Sequence, residues 1–368
     1  MEELGLNKKE IEKLAKDYKS RDLGYHKAVS TMTTPAHPIA RMFYDLFYDS
    51  NLGDPSLFQG TKAMEVETVE MLGHLLGLKV PLGYITSGGH EANIQAIRIA
   101  CNISGKRKGN IIVPESSHFS FDKIADILNI TVKKAELDDE YRVSTDAVSR
   151  MIDDETVGLV GIAGTTELGQ VDPIKELSEL AVDKDLFLHI DAAFGGLVLP
   201  FLPKVEPFDF SLEGVSSMTV NPHKMGMSML PAGGLILREE EYLDVISAES
   251  PYLNTKRSFT LTGVRCGASV ASAFGTLKFF GKKGMRELVG ECMRNVSRLT
   301  EGFSELGLSL AVDPPMNIMG VLEPSAVIEK LEAKGWSYAL SNLPRSLRVI
   351  CMPHVNREIV EELLGDLS

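Results

Sequence analysis

Val215-Ser216-Ser217-Met218-Thr219-Val220-Asn221-Pro222-His223-Lys224 is a run of β-branched, small and apolar residues that stops at Asn-Pro. It reads as a buried strand, with a sharp turn at its end. Lys224 is thereby presented at the end of a sheet strand. Gly226, Met227, Met229, Leu230, Pro231, Ala232, Gly233 and Gly234 follow, and none of them can pair with a charge. Taken alone, the stretch also fits a solvated lysine on a surface turn. In an apolar pocket the same amine would lose its proton more readily and become a nucleophile toward aldehydes.

The flanking sequence alternates strand and helix signals. Short apolar runs at 83–85, 111–113, 130–132, 157–162 and 186–190 look like strands, and helical patterns occupy 91–103, 121–128, 145–152 and 173–182. Such alternation predicts a mostly parallel sheet with helices on both faces, an α/β fold whose ligands sit at the carboxyl ends of the strands. Upstream, residues 4–18 have helical periodicity, 31–38 form a polar loop with two prolines, and 61–76 form an amphipathic helix closed by Gly77. Downstream, a long helical stretch over 267–308 is interrupted at 281–284. A strand near 318–321, a helix over 325–334, a strand over 347–351 and a last helix from Asn356 follow. The expected organisation is an arm and loop over 1–50, a large α/β domain over 51–255, and the long helix with a small α+β domain over 256–368.

The chain has 368 residues, 44% of them hydrophobic, which is enough for a substantial core. Its formal net charge of −13 argues against binding nucleic acid through the phosphate backbone, which needs clustered Lys and Arg. Cys101, Cys266, Cys292 and Cys351 are scattered without zinc-type spacing and read as reduced, buried thiols. Residues 1–20 lack the apolar centre of a signal peptide, so the expected location is the cytoplasm, with no membrane partner and no metal.

Three more strand ends carry chemistry. Thr86-Ser87-Gly88-Gly89-His90-Glu91 opens a helix, where exposed N–H groups and the helix dipole favour an anion, although a Ser-Gly-Gly turn is common. His118, in Ser116-Ser117-His118-Phe119, reads either as a helix cap or as a flat ring lying on an aromatic ligand. Asp191, closing the strand before Ala192-Ala193-Phe194-Gly195-Gly196, is a carboxylate whose burial is costly unless paired, with room beside it for a flat ligand. An amine for an imine, a carboxylate for a pyridinium and a glycine-rich helix start for a phosphate form the set that pyridoxal phosphate requires.

On these motifs the sequence resembles the group II pyridoxal-phosphate-dependent amino-acid decarboxylases, of fold-type I (aminotransferase-like). Within them it is most similar to the archaeal tyrosine/aspartate decarboxylases that supply tyramine for methanofuran or β-alanine for coenzyme A. The similarity runs from about Thr31 to the C-terminus. Its most specific pieces are residues 118–123, 191–196, 221–224 and 231–234. The resemblance implies that Lys224 holds the cofactor as an imine, that Asp191 pairs with the ring nitrogen and that His118 stacks on the ring. It brings Ser87, Gly88, Gly89 and His223 to the phosphate, with Ala193 beside the cofactor. His90 stands where the family usually has Thr or Ser, so imidazole replaces a hydroxyl or the contact is missing.

Further implications concern substrate and assembly. Residues 261–265, with Gly263, match a segment that in relatives reaches the partner's phosphate, which implies a homodimer. Tyr252 stands at about the place of a mobile-loop tyrosine that protonates Cα, or it is a packed aromatic; His118 is the other candidate donor. Arg348 lies where relatives place a carboxylate-binding arginine, or it makes a strand-edge salt bridge. His37, in the loop that the resemblance assigns to the substrate pocket, could face a phenol or a second carboxylate, with tyrosine favoured over aspartate. Other lyases of this fold (carbon–carbon or desulfurase, the latter needing Cys266 or Cys351 as nucleophile) and a non-enzymatic regulator are the competing readings.

Overall fold

A computed structural model of the chain describes residues 3–106, 108–251 and 257–368. Among them, β1 (Leu82–Thr86), β2 (Asn110–Pro114), β3 (Thr131–Ala135), β4 (Thr156–Ile162), β5 (Phe187–Asp191), β6 (Val215–Val220) and β7 (Gly233–Leu237) form a seven-stranded sheet. Its order is β1-β7-β6-β5-β4-β2-β3. Pairing is parallel except at β7, which runs antiparallel to both β6 and β1. The expected parallel α/β sheet is present, with Lys224 just beyond the carboxyl end of β6. β7 is missing from the sequence expectation because it starts on two glycines and follows an apolar stretch with no boundary of its own.

These strands are continuous apolar runs because both of their faces are buried. Ile112, Leu159, Met218 and Ile236 belong to one hydrophobic cluster, while the neighbouring Ile111, Val160 and Leu235 belong to the other. Helices α4 (Gly89–Ser104) and α5 (Ser120–Leu128) contribute to the second cluster. α6 (Thr145–Met151) and α7 (Ile174–Lys184) contribute to the first. Gly83 is required at the β1–β7 seam: its φ is +136°, and a Cβ there would lie 1.9 Å from the Leu235 carbonyl oxygen.

Before the sheet come α1 (Lys8–Lys19), α2 (Pro38–Leu46) and α3 (Gln59–Leu75). α1 is an exposed helix closed at its start by a capping box between Asn7 and Glu10. α2 is absent from the sequence expectation, although proline at its first position and His37 as its cap are start signals. After β7 lie a short turn of helix, α8 (Glu241–Asp244), and a two-stranded hairpin of β8 (Ala248–Glu249) and β9 (Arg257–Ser258). The long helix α9 (Gly267–Glu305) packs along α2 and α3 and kinks at Gly281, within the expected interruption. A second sheet, β10-β12-β11, is built from β10 (Ile318–Leu322), β11 (Ala339–Asn342) and β12 (Arg345–Ile350), with α10 (Ser325–Ala333) and α11 (Arg357–Leu367).

One buried ion pair ties the helices to the cavity end of β1. Arg265 sits just ahead of α9 and bonds to Glu65 of α3 and, at 2.8 Å, to the Ile85 carbonyl; Glu65 in turn accepts the Ile85 N–H at 3.1 Å. Both side chains are more than nine-tenths buried. Burial opposes the charge on Glu65, yet Arg265 and Lys62 hold its carboxyl below the usual range. Removing one partner from such a pair leaves an uncompensated charge and costs about 3 kcal/mol, whereas an apolar pair is often neutral. Arg265→Met is expected to lower the urea-unfolding free energy by about that amount, and Glu65→Leu with Arg265→Met to recover much of it. An unchanged single variant would show that the pair does not hold β1 in place.

Candidate active site

A cavity of about 330 Å³ opens at the carboxyl ends of β1, β4, β5 and β6, and Lys224, Asp191, His118, His90, His223, Ala193 and the Ser87-Gly88-Gly89 turn all line it. The Lys224 amine lies 3.7 Å from the Met32 thioether and 6.0 Å from the centre of the Phe194 ring. No ion pair reaches it among the described residues. Burial lowers the affinity of the amine for its proton and the Arg348 charge adds to this, with Asp191 opposing. The result is an amine biased toward its neutral, nucleophilic form.

Asp191 is buried at the end of β5. Its Oδ2 accepts from Asn93 Nδ2 at 2.8 Å and its Oδ1 from the Ala193 N–H at 3.1 Å. Behind it, Asn93 Oδ1 accepts from Thr219 Oγ1 at 2.6 Å and lies 3.0 Å from His189 Nε2, while His189 Nδ1 is 2.8 Å from Ser217 Oγ. Asn93 falls in the helical pattern 91–103 and His189 in the apolar run 186–190, but their roles come from three separate elements meeting, which no spacing reveals.

The turn after β1 leaves backbone donors free at the cavity. Gly88, at φ 145° and ψ 177°, occupies a region open only to glycine. A Cβ on Gly89 would come 3.0 Å from Asn221 Nδ2. Gly89 and His90 begin α4, so their N–H groups have no acceptor within the helix. The Ser87 N–H is taken by Glu91 Oε2 at 2.7 Å, so its hydroxyl is the group it can offer a ligand. Two buried polar atoms at the cavity, Asn221 Oδ1 and Ser116 Oγ, have no hydrogen-bond partner among the described residues.

Two of the lining imidazoles are locked by the backbone. Ser120 N–H donates to His118 Nδ1 at 3.2 Å, and Ala232 N–H donates to His223 Nδ1 at 3.1 Å. Each neutral ring therefore carries its proton on Nε2. Burial, reinforced by the Lys224 charge, pushes both down to about 4. His118 also faces His90, Lys123 and Asp191. His90 meets His118 edge-on, with centroids 5.1 Å apart at 86°. A neutral amine, a buried carboxylate, a flat imidazole and a cradle of donors suit an aromatic aldehyde carrying a phosphate, and the two unpartnered polar atoms are sites such a ligand can satisfy.

Other expected residues stand apart from this cavity. His37 caps α2, accepting the Ile39 N–H at 3.2 Å, and packs on Phe279 and Phe280 at 4.8 and 5.0 Å; it does not line the cavity. The loop that carries it reaches the cavity instead through Met32. Gly263 lies on an exposed loop outside it. Arg348 is central in its sheet rather than at an edge, and bonds to the carbonyls of Ser30 at 3.0 Å and Thr166 at 3.5 Å, with Nε buried and unpartnered. Thr166 is part of the cavity wall, so the guanidinium adjoins it. Tyr252 lies outside the described residues. The thiols are not all buried: Cys292 and Cys351 are, whereas Cys101 is half-buried and Cys266, capping α9 beside the exposed loop, is exposed.

Comparison with known proteins agrees with this geometry. Residues 60–307 match the pyridoxal-dependent decarboxylase conserved domain. A probable L-tyrosine/L-aspartate decarboxylase of Methanothrix thermoacetophila is 48% identical over 368 residues, covering 100% of this chain and 96% of the relative. A probable L-aspartate decarboxylase of Archaeoglobus fulgidus is 46% identical over 351 residues, covering 95% and 96%. Among solved structures, a sphingosine-1-phosphate lyase of Burkholderia pseudomallei superposes with a TM-score of 0.91 at 24% identity, covering 100% of this chain and 91% of that one. A glutamate decarboxylase of Lactobacillus brevis gives 0.91 at 22%, covering 100% and 92%; both likenesses concern the fold alone. The chain belongs to the pyridoxal-dependent decarboxylase family and is a carboxy-lyase that uses pyridoxal phosphate.

Proposed function

We propose that the chain decarboxylates L-tyrosine to tyramine and L-aspartate to β-alanine, with tyrosine favoured. The observation that carries the reading is the unpaired Lys224 amine set in one cavity with the Asp191 carboxylate and the α4 donors. The names of the relatives support both substrates. Apolar walls from Met32, Ile162, Phe194 and Leu230 suit a phenol, and among the described residues no arginine lines the cavity to meet a second carboxylate. The products would serve methanofuran and coenzyme A formation. A cytoplasmic homodimer is part of the proposal, supported by the exposed apolar Leu261 and Val264 on the loop that holds Gly263. No helix among the described residues is long and apolar enough to cross a membrane.

When bound, pyridoxal phosphate supplies an electron sink for the bond that breaks. Lys224 would hold the cofactor through its amine, Asp191 would pair with its ring nitrogen, and His118 would stack on the ring. The Gly89 and His90 N–H groups, the Ser87 hydroxyl and His223 Nε2–H hold the phosphate. Arg348, whose guanidinium adjoins the cavity wall at Thr166 and keeps Nε–H without a partner among the described residues, would orient the α-carboxylate, which leaves as CO₂ with the bonding pair retained on the substrate side. The proton that Cα then takes comes from Tyr252, with His118 Nε2–H as the second donor. A desulfurase is disfavoured: neither Cys266 nor Cys351 lines the cavity, and burial pushes the Cys351 thiol far up.

Lys224→Ala is expected to abolish amine release and the visible absorbance of cofactor-loaded protein while far-ultraviolet circular dichroism stays unchanged. Retained turnover would overturn the assignment. Tyr252→Phe is expected to leave cofactor affinity alone, slow amine formation and divert product to transamination, measured as amine against keto product. A normal amine yield moves the donor role to His118. With its ring engaged as a cap, His37→Ala is expected to lower stability by about 1 kcal/mol and leave the tyrosine-to-aspartate ratio of kcat/KM unchanged. A changed ratio would place His37 in a substrate pocket, contributed across the proposed dimer.

A further inference from the structure

His189 is fully buried in β5 two residues before Asp191, so strand alternation sets both side chains on one face. The β5–β6 register places Ser217 opposite His189 and Thr219 opposite Asp191. Asn93, from α4, descends onto the same face and touches three of these four side chains. The result is a closed string of side-chain hydrogen bonds, none longer than 3.0 Å along the path Ser217, His189, Asn93, Asp191.

The chemistry of the groups gives the string a direction. An ionised Asp191 only accepts, so the Asn93 amide must turn its NH₂ toward it and its Oδ1 away. Oδ1 then needs donors, which are the Thr219 hydroxyl at 2.6 Å and His189 Nε2–H at 3.0 Å. Burial pushes the His189 ring down to about 4, so at neutral pH it has a single proton. With that proton on Nε2, Nδ1 is left to accept from the Ser217 hydroxyl at 2.8 Å. Every donor thus points toward Asp191. The reverse order would turn Asn93 Oδ1 onto the carboxylate, which is tolerable only with a proton on Asp191.

We propose that His189 is a positioning residue which, with Thr219, locks the Asn93 amide so that Asp191 is presented ionised and in one orientation to the ring nitrogen of pyridoxal phosphate. This rests on the proposed pairing of Asp191 with that nitrogen. His189 itself does not line the cavity, so its effect is transmitted through Asn93.

The test compares binding of two cofactors to the full-length apoprotein by fluorescence titration. One is pyridoxal phosphate; the other is its 1-deaza analogue, in which C–H replaces the ring nitrogen. His189→Leu is expected to weaken pyridoxal phosphate by about tenfold, because the freed Asn93 amide no longer holds its bond to the charged Asp191 carboxylate, and to leave the analogue within about twofold. Thr219→Val, nearly isosteric, is expected to act in the same sense but less. His189→Gln is expected to restore selectivity, since its amide N–H can serve Asn93 Oδ1. Equal weakening of both cofactors by His189→Leu, or no change with either Leu or Val, overturns the proposal, because a merely structural role would not distinguish C–H from nitrogen. Asp191→Asn separates the two levels of inference. Loss of selectivity there, with the His189 and Thr219 variants normal, overturns the string alone. Retained selectivity overturns the pairing on which it rests.

Discussion

The site depends on an amine kept in an apolar setting with no ionic partner among the described residues. Lys224 has a thioether and a phenyl ring near its nitrogen where a surface lysine would have water or a carboxylate. That arrangement disfavours the charged form, and the fold can sustain it because the strand and turn beneath the lysine are anchored elsewhere. Asn221 N–H bonds to the Ala193 carbonyl, and His223 exchanges backbone and side-chain bonds with Ala232. The loop carrying Met32 is tied down in turn, since the His37 N–H donates to the Met227 carbonyl at 2.9 Å. Stability of the turn is therefore drawn from backbone hydrogen bonds, leaving the lysine side chain free of structural duty.

A related economy governs the imidazoles. His37, His118 and His223 each accept a backbone N–H at Nδ1, which fixes their tautomers locally. The same device serves different ends: at His37 it begins a helix, while at His118 and His223 it turns a donor toward the cavity. The bond cannot be told from the residue type, and the pocket role expected of His37 comes from the resemblance of its loop alone.

The legible parts of the chain are those whose cause is local. The runs at 157–162 and 215–220 announce strands because burial on both faces demands continuous apolar residues, and Ser-Gly-Gly announces the turn that opens α4. β7 is not legible, since its pairing with β1 and β6 relies on glycines that merely permit close approach. Nor is the string behind Asp191, where Asn93, His189 and Thr219 are far apart in the chain and meet only through the β5–β6 register and the seating of α4. Arg348 lies between these cases: its strand was readable, but its bonds to Ser30 and Thr166 carbonyls were not.

The reversal of β7 has a mechanical consequence. Because β7 returns antiparallel beside β6, the twelve or so residues between them form a hairpin connection clamped by the sheet at both ends, and its return limb, Leu230 and Pro231, lines the same cavity as the lysine. The connection is also tied within itself and to α9: the Ser228 N–H donates to the Pro222 carbonyl at 3.2 Å and the Met229 N–H to Ser272 Oγ at 2.7 Å. If Lys224 exchanges partners at its nitrogen as proposed, the exchange would fall to rotation about its own side-chain bonds. The same clamping makes this connection a poor place for an inserted residue, which would shift the lysine relative to Asp191 with no slack to absorb it.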